Sequence, residues 1–169
     1  QDQAAPPHSL VSSKNGDELI SLSAGESHTC SLTNKGNVNC WGDYGGINGK
    51  TLPIVVPDSV QGKVREITSG ANHTCALDTN GTVVCWGANE YGQLDVPQAG
   101  HGVKASSVFA QENVTCAHYE SLTQIRCWGA IRDSHIYTLE DDLGKASCLS
   151  RYAKPNVAGR NICDLIGVY

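Results

Sequence analysis

The sequence predicts an all-β fold made of stacked copies of one small unit, each copy stapled by its own disulfide. Three observations carry this expectation. A Thr-Cys segment recurs at Cys30, Cys75 and Cys116, and each copy runs on to Cys-Trp-Gly at Cys40, Cys85 and Cys127. The copies lie 45 and then 41 residues apart, the length of a β unit that cannot bury its apolar surface alone and must stack on its own kind. The eight cysteines fall in regular pairs without a Cys-x-x-Cys spacing, which reads as a disulfide framework and not as a zinc site.

The first copy holds Gly25–Glu26–Ser27–His28–Thr29–Cys30 and closes on Cys40–Trp41–Gly42. In its hairpin Leu32 faces Val38, Cys30 faces Cys40, and Gly36 takes the left-handed position of the loop. The second copy is the cleanest. Val64–Ile67 forms a strand that ends at Ser69–Gly70, and Cys75–Leu77 and Val83–Trp86 form a hairpin around Thr79–Asn80–Gly81. A three-residue loop sets Leu77 against Val83 and Cys75 against Cys85, with Gly81 in the left-handed position. The third copy, Cys116 to Cys127, has a loop one residue longer, lacks the glycine, and carries Val114 where the others carry histidine.

Opposed cysteines on antiparallel strands lie within disulfide reach, so the expected pairs are Cys30–Cys40, Cys75–Cys85 and Cys116–Cys127. Cys148–Cys163 follows by elimination. Each local loop spans about eleven residues, worth roughly 2.5–3 kcal/mol by chain entropy. Within the second hairpin, alternation puts Cys75, Leu77, Val83 and Cys85 on one face and Ala76, Val84 and Trp86 on the other. Both faces are apolar, so the hairpin is sandwiched between neighbours, as a propeller blade is. The expected organisation is a tail over 1–16, three repeats over 17–138, and a degenerate fourth unit over 139–169, all in one structural domain.

The composition narrows the setting. At 169 residues the chain suits one domain. A net charge of −5 without any Lys/Arg run argues against nucleic-acid binding, and no apolar stretch reaches the roughly 20 residues of a membrane span. The paired cysteines indicate an oxidising compartment. Methionine is absent even at the start, so Gln1 reads as a processed terminus and the chain as secreted and extracellular.

The second copy, with Gly70, His73–Thr74–Cys75–Ala76–Leu77, Gly81, Val83, Cys85–Trp86–Gly87 and Gly92–Gln93–Leu94–Asp95–Val96–Pro97, resembles a repeat of the regulator-of-chromosome-condensation family. The likeness is to its extracellular, disulfide-containing branch, similar to β-lactamase inhibitor propellers and to Crinkly-type receptor ectodomains. It runs from Asp17 to about Asp133. The resemblance implies four-stranded blades, commonly seven to a ring, and a structural hydrogen-bonding role for His28 and His73. Three clear blades do not close such a ring. An open half-propeller exposes blade faces that need another chain, either a second copy or a sister subunit.

No catalytic constellation is present: neither Gly-x-Ser-x-Gly, nor His-Glu-x-x-His, nor a phosphate-cradling glycine loop occurs. No enzyme, cofactor or metal is expected. Glu140–Asp141–Asp142 reads as a solvated turn. Trp41, Trp86 and Trp128 each follow a half-cystine and read as interblade packing, not as a sugar platform. Asn72, Asn80 and Asn113 begin Asn-x-Thr triplets at turns or a hairpin tip, and are expected glycosylation sites.

What varies between copies is the loop after each Trp-Gly: 43–48, 88–93 and 130–135. Variable loops on a repeated scaffold carry recognition, and Tyr44, Asn48, Asn89, Tyr91 and Arg132 are the expected contact residues. Asn89 reads equally well as a residue that shapes its turn. The expected function is a secreted, non-enzymatic binding protein, with lectin-like glycan recognition favoured because repeated blades make weak sites multivalent. Inhibition of an extracellular enzyme by a protein-binding face is the alternative, and a structural or storage glycoprotein is the third.

Overall fold

A computed structural model of the chain describes residues 16–45, 52–98, 103–120, 124–130 and 136–138. Among the described residues, ten strands form three antiparallel sheets in chain order. The first blade contains β1 (Leu19–Ala24), β2 (His28–Thr33) and β3 (Val38–Gly42). A 3-10 turn, Asp58–Val60, leads to the second blade. That blade contains β4 (Val64–Ser69), β5 (His73–Asp78) and β6 (Val83–Gly87). The third is four-stranded, with β7 (Ala105–Gln111), β8 (Val114–Tyr119), β9 (Gln124–Gly129) and β10 (Ile136–Thr138). The first two blades thus show three described strands where the resemblance implies four. In the first, the segment after Trp41–Gly42 makes one isolated pairing, Tyr44 with Leu52.

The register is the one the hairpins dictate. Cys30 faces Cys40 and Leu32 faces Val38; Cys75 faces Cys85 and Leu77 faces Val83; Cys116 faces Cys127. All three local disulfides are formed, and no free cysteine lies among the described residues. Cys148, Cys163 and the expected fourth unit over 139–169 lie outside the described residues. Gly36 and Gly81 adopt φ of 75° and 82°, and each tip carbonyl is also close enough to accept the N–H of the next blade's first strand (Val64 from Gly36, Ala105 from Gly81). The loop glycine therefore both turns the hairpin and ties one blade to the next.

Each first strand has a register shift at the same place, between Leu19 and Ser21, Val64 and Glu66, and Ala105 and Ser107. An extra residue bends and twists a strand, so the repeated bulge fans the blades around a common axis.

The core is divided between the two interblade spaces. In the first, Cys30, Leu32, Val38 and Cys40 of one blade meet Ile67, Ala76, Val84 and Trp86 of the next. In the second, Cys75, Leu77, Val83 and Cys85 meet Val108, Ala117 and Trp128. Alternation along the strand thus gives the first two blades an outgoing face of disulfide, leucine and valine, and the second and third an incoming face that includes tryptophan. Trp86 and Trp128 are buried there, as their place in the strand indicates.

Candidate recognition site

The histidines lie in the interblade spaces. His28 Nε2 is 2.8 Å from Thr74 Oγ1 of the next blade, and His73 Nε2 is 2.8 Å from Thr115 Oγ1. Thr115 donates its hydroxyl to the Gln93 carbonyl at 3.0 Å, so it accepts the Nε2–H of His73. Both imidazoles are fully buried. Desolvation holds each well below the usual 6.5, at about 4, with repulsion from His28 adding to the effect at His73. Two neutral rings, each spent on a threonine of another strand, work as structural fasteners.

Each ring dictates a glycine three residues before it. A Cβ on Gly25 would strike the His28 ring and the Gly70 carbonyl; one on Gly70 would strike the His73 ring and the Glu112 carbonyl. In the third copy, where Val114 replaces histidine, the corresponding residue is Gln111. The glycine is present where the ring is present.

The turns Ala24–Glu26, Ser69–Ala71 and Ala110–Glu112 converge beside the axis. Backbone bonds run from Glu26 N–H to Ala71 and from Ala71 N–H to Glu112. Between them lies a shallow concavity of about 460 Å³. Its walls are mostly backbone and small side chains, and no group of metal-ligating residues occurs among the described residues.

The loops after Trp-Gly separate into two kinds. Tyr44, expected as a contact residue, is 1% exposed. Its hydroxyl donates to Thr74 Oγ1 at 3.2 Å, its ring meets the His28 ring edge-on at 4.6 Å, and burial raises its pKa to about 12. That expectation is corrected: a large ring following Trp-Gly fills the interblade space and is not available at the surface. Sequence patterning could not separate the two outcomes, because an aromatic in a loop suits either.

The second loop does project. Tyr91 is 56% exposed. Beneath it, Asn89 donates to Asp95 Oδ1 at 3.0 Å and accepts the Leu94 N–H at 2.8 Å, while the Tyr91 N–H reaches Gln93 Oε1 at 2.9 Å. Asn89 is exposed, yet both ends of its amide are engaged inside the loop, so it shapes the loop. Gln93 is not among the expected contact residues, yet it is fully buried and its carbonyl takes both Thr115 Oγ1 and Trp128 Nε1, the latter at 2.9 Å. Its signal in the sequence was the Gly92–Gln93–Leu94 run after the turn. Asn48 and Arg132 lie outside the described residues.

Among the acceptor asparagines, Asn80 is exposed at its hairpin tip, where Asp78 Oδ1 accepts its N–H. Asn72 and Asn113 are half-buried, and Asn72 Oδ1 is shut away from solvent beside Gly45.

Comparison with known proteins agrees with this architecture. The regulator of chromosome condensation (RCC1) repeat matches residues 19–45 and 64–93, which are the first two blades. Among solved structures, the chain is similar to the entire ectodomain of the Physcomitrella patens receptor kinase CR4, at 27% identity and a TM-score of 0.50 over 69% of this chain and 31% of that one. It is also similar to yeast RCC1 (Prp20), crystallised bound to Kap60, at 20% identity and a TM-score of 0.53 over 89% of this chain and 37% of that one. The C-terminal domain of gp131 from bacteriophage phiKZ is similar at 16% identity and a TM-score of 0.51, over 75% of this chain and 42% of that one. No curated protein sequence matches the chain. The chain spans between about a third and two fifths of the length of these three structures. Residues 19–45 and 64–93 thus match the RCC1 repeat, within a propeller-type, disulfide-containing fold.

Proposed function

We propose that this array of RCC1-type blades is an extracellular, non-enzymatic binding module that recognises a glycan through the loop after its second Trp-Gly, with Tyr91 as the platform. The observation that carries the reading is an exposed aromatic ring on a loop locked from below by three hydrogen bonds. A preorganised aromatic face loses little entropy on binding and offers an apolar surface for the C–H face of a sugar ring, with Glu90 and Asp95 exposed nearby as acceptors for hydroxyls.

The extracellular setting is supported by three formed disulfides and by similarity to a receptor ectodomain. No helix among the described residues is long and apolar enough to cross a membrane. The propeller is completed by a second copy or a sister subunit, and the assembled ring presents the loops together.

A glycan array probed with the intact protein and with Tyr91→Ala tests the reading. Binding to a glycan class that falls at least tenfold in the variant supports it. Absence of glycan binding, together with Tyr91-dependent binding to an extracellular enzyme, would replace it with the inhibitor function; binding to neither would favour the structural glycoprotein.

A further inference from the structure

The hairpin tip of the second blade places Asn80 directly before Gly81. Asparagine before glycine is open to an intramolecular reaction, because glycine has no Cβ to keep its backbone nitrogen away from the preceding side chain. The Gly81 nitrogen attacks Asn80 Cγ, a C–N bond forms, and the Cγ–Nδ2 bond breaks. Nδ2 leaves as ammonia, taking the proton that Gly81 gives up. Water then opens the resulting cyclic succinimide at either carbonyl. One opening yields aspartate; the other yields isoaspartate, in which the main chain runs through Cβ and Cγ. The same dipeptide occurs at Asn15–Gly16 and Asn48–Gly49, whereas the first blade's tip carries Lys35 where Asn80 stands.

The folded tip is closed against this reaction. Asn80 is exposed, yet each backbone N–H from Thr79 to Thr82 is engaged. Thr79 donates to the Lys63 carbonyl at 2.8 Å and Gly81 to the Asp78 carbonyl at 3.1 Å. Asn80 and Thr82 both donate to Asp78 Oδ1, each at 2.8 Å. Attack needs the Gly81 nitrogen to surrender its proton, and the Asp78 carbonyl holds that proton. Gly81 is fixed from its other side as well. Its carbonyl accepts the Ala105 N–H at 2.8 Å, and a Cβ on it would come within 2.6 Å of Lys104 Cβ.

We infer that Asn80–Gly81 is a latent succinimide site, held shut by Asp78 in the folded blade and released when the tip opens. Opening a hairpin tip requires much less free energy than global unfolding, so the site records local openings of the native protein. Isoaspartate, once formed, adds a methylene to the main chain between Asn80 and Gly81. That shift draws the Gly81 carbonyl away from the Ala105 N–H and loosens the second blade's tie to the third. A glycan on Asn80 would occupy the same Nδ2, so glycosylation and succinimide formation compete for one atom. The inference goes beyond the glycan-binding reading and uses none of its residues.

The test uses the intact, unglycosylated chain held at pH 8 with its disulfides formed. Peptide mass spectrometry follows conversion of Asn80 to aspartate and isoaspartate in buffer and in denaturing urea. In urea, Asn80, Asn15 and Asn48 should convert alike, and Asn80 should be at least about tenfold slower in the folded chain. Asp78→Ala should recover much of the urea rate, whereas Asp78→Asn, which keeps an acceptor oxygen, should stay near the parent. Urea below the unfolding midpoint gives a comparison without any substitution, and conversion of Asn80 should rise there before the chain unfolds. The isoaspartyl form, separated from the parent, should show faster amide exchange at Ala105. Asn80 converting as fast in buffer as in urea would overturn the inference, and so would a failure to convert in urea. Equal rates for the parent and a folded Asp78→Ala would remove Asp78 as the brace, and unchanged Ala105 exchange would remove the link to the third blade.

Discussion

Replacing His73 with glutamine should remove about half of the chain's loss of stability between pH 8 and pH 5. The glutamine amide nitrogen reaches about as far as imidazole Nε2 and offers Thr115 a donor, but it does not titrate. His73 and His28 are both held at about 4 in the folded chain against 6.5 when free. Between those values the unfolded chain holds a proton at each ring that the folded chain refuses. Lowering the pH through that window therefore favours unfolding, and the stability is fully present only above about 6.5. Per histidine, binding of the proton by the unfolded chain is worth about 2 kcal/mol at pH 5 relative to pH 8, so the pair costs about 4 kcal/mol. Glu66 acts in the opposite sense: burial raises its pKa, and the penalty on its charged form fades as the pH falls. That contribution is common to both proteins and cancels in their difference. Urea unfolding with disulfides intact, at pH 8 and pH 5, measures it. At pH 8 the variant should lie about 1 kcal/mol below the parent for an imperfect hydrogen bond, and at pH 5 the gap should close or reverse. Equal loss between the two pH values in both proteins would refute the assignment of His73 as a buried neutral ring.

Removing the second disulfide with Cys75→Ala and Cys85→Ala should cost roughly 2.5–3 kcal/mol by chain entropy, with some packing loss besides, read as a lower midpoint in urea. Gly70→Ala should cost more than about 2 kcal/mol, because the methyl group would strike both the His73 ring and the Glu112 carbonyl. Gln111→Ala, at the corresponding position with no ring beneath it, should stay within about 1 kcal/mol of the parent in the same assay. Expression in a glycosylating host should modify Asn80 well ahead of the half-buried Asn72 and Asn113. Site-by-site peptide mass spectrometry checks this, and preferential occupancy of Asn72 would contradict it.

Much of the architecture was legible in the residues because it is local. Cys75 and Cys85 are ten positions apart around a loop whose glycine fixes its turn type, so strand register and disulfide pairing follow from a single hairpin. Alternation then assigns Cys75, Leu77 and Val83 to one face and Ala76, Val84 and Trp86 to the other, and repetition says that both are covered. The bulge in each first strand left no such trace, since an extra residue in a short strand looks like any other residue. Nor does the sequence show why Gly25 accompanies His28 and Gly70 accompanies His73: each ring lies against its glycine, where a Cβ would strike it.

Tertiary structure alone decided which loop residues face solvent. Tyr44 and Tyr91 both follow a Trp-Gly on a polar, glycine-containing loop, yet one ring fills the space between two blades and the other stands above its loop. The difference lies in what each space already contains. Tyr44 caps Thr74 and His28 directly, while in the next space the buried Gln93 and its carbonyl meet Thr115 and Trp128, leaving Tyr91 outside. Histidine positions were visible in the sequence, but their partners lie 46 and 42 residues away on the following blade. Sequence spacing fixes contacts within a hairpin, where geometry is set by a few dihedrals. Contacts between blades depend on how the twisted sheets stack, which no local pattern records.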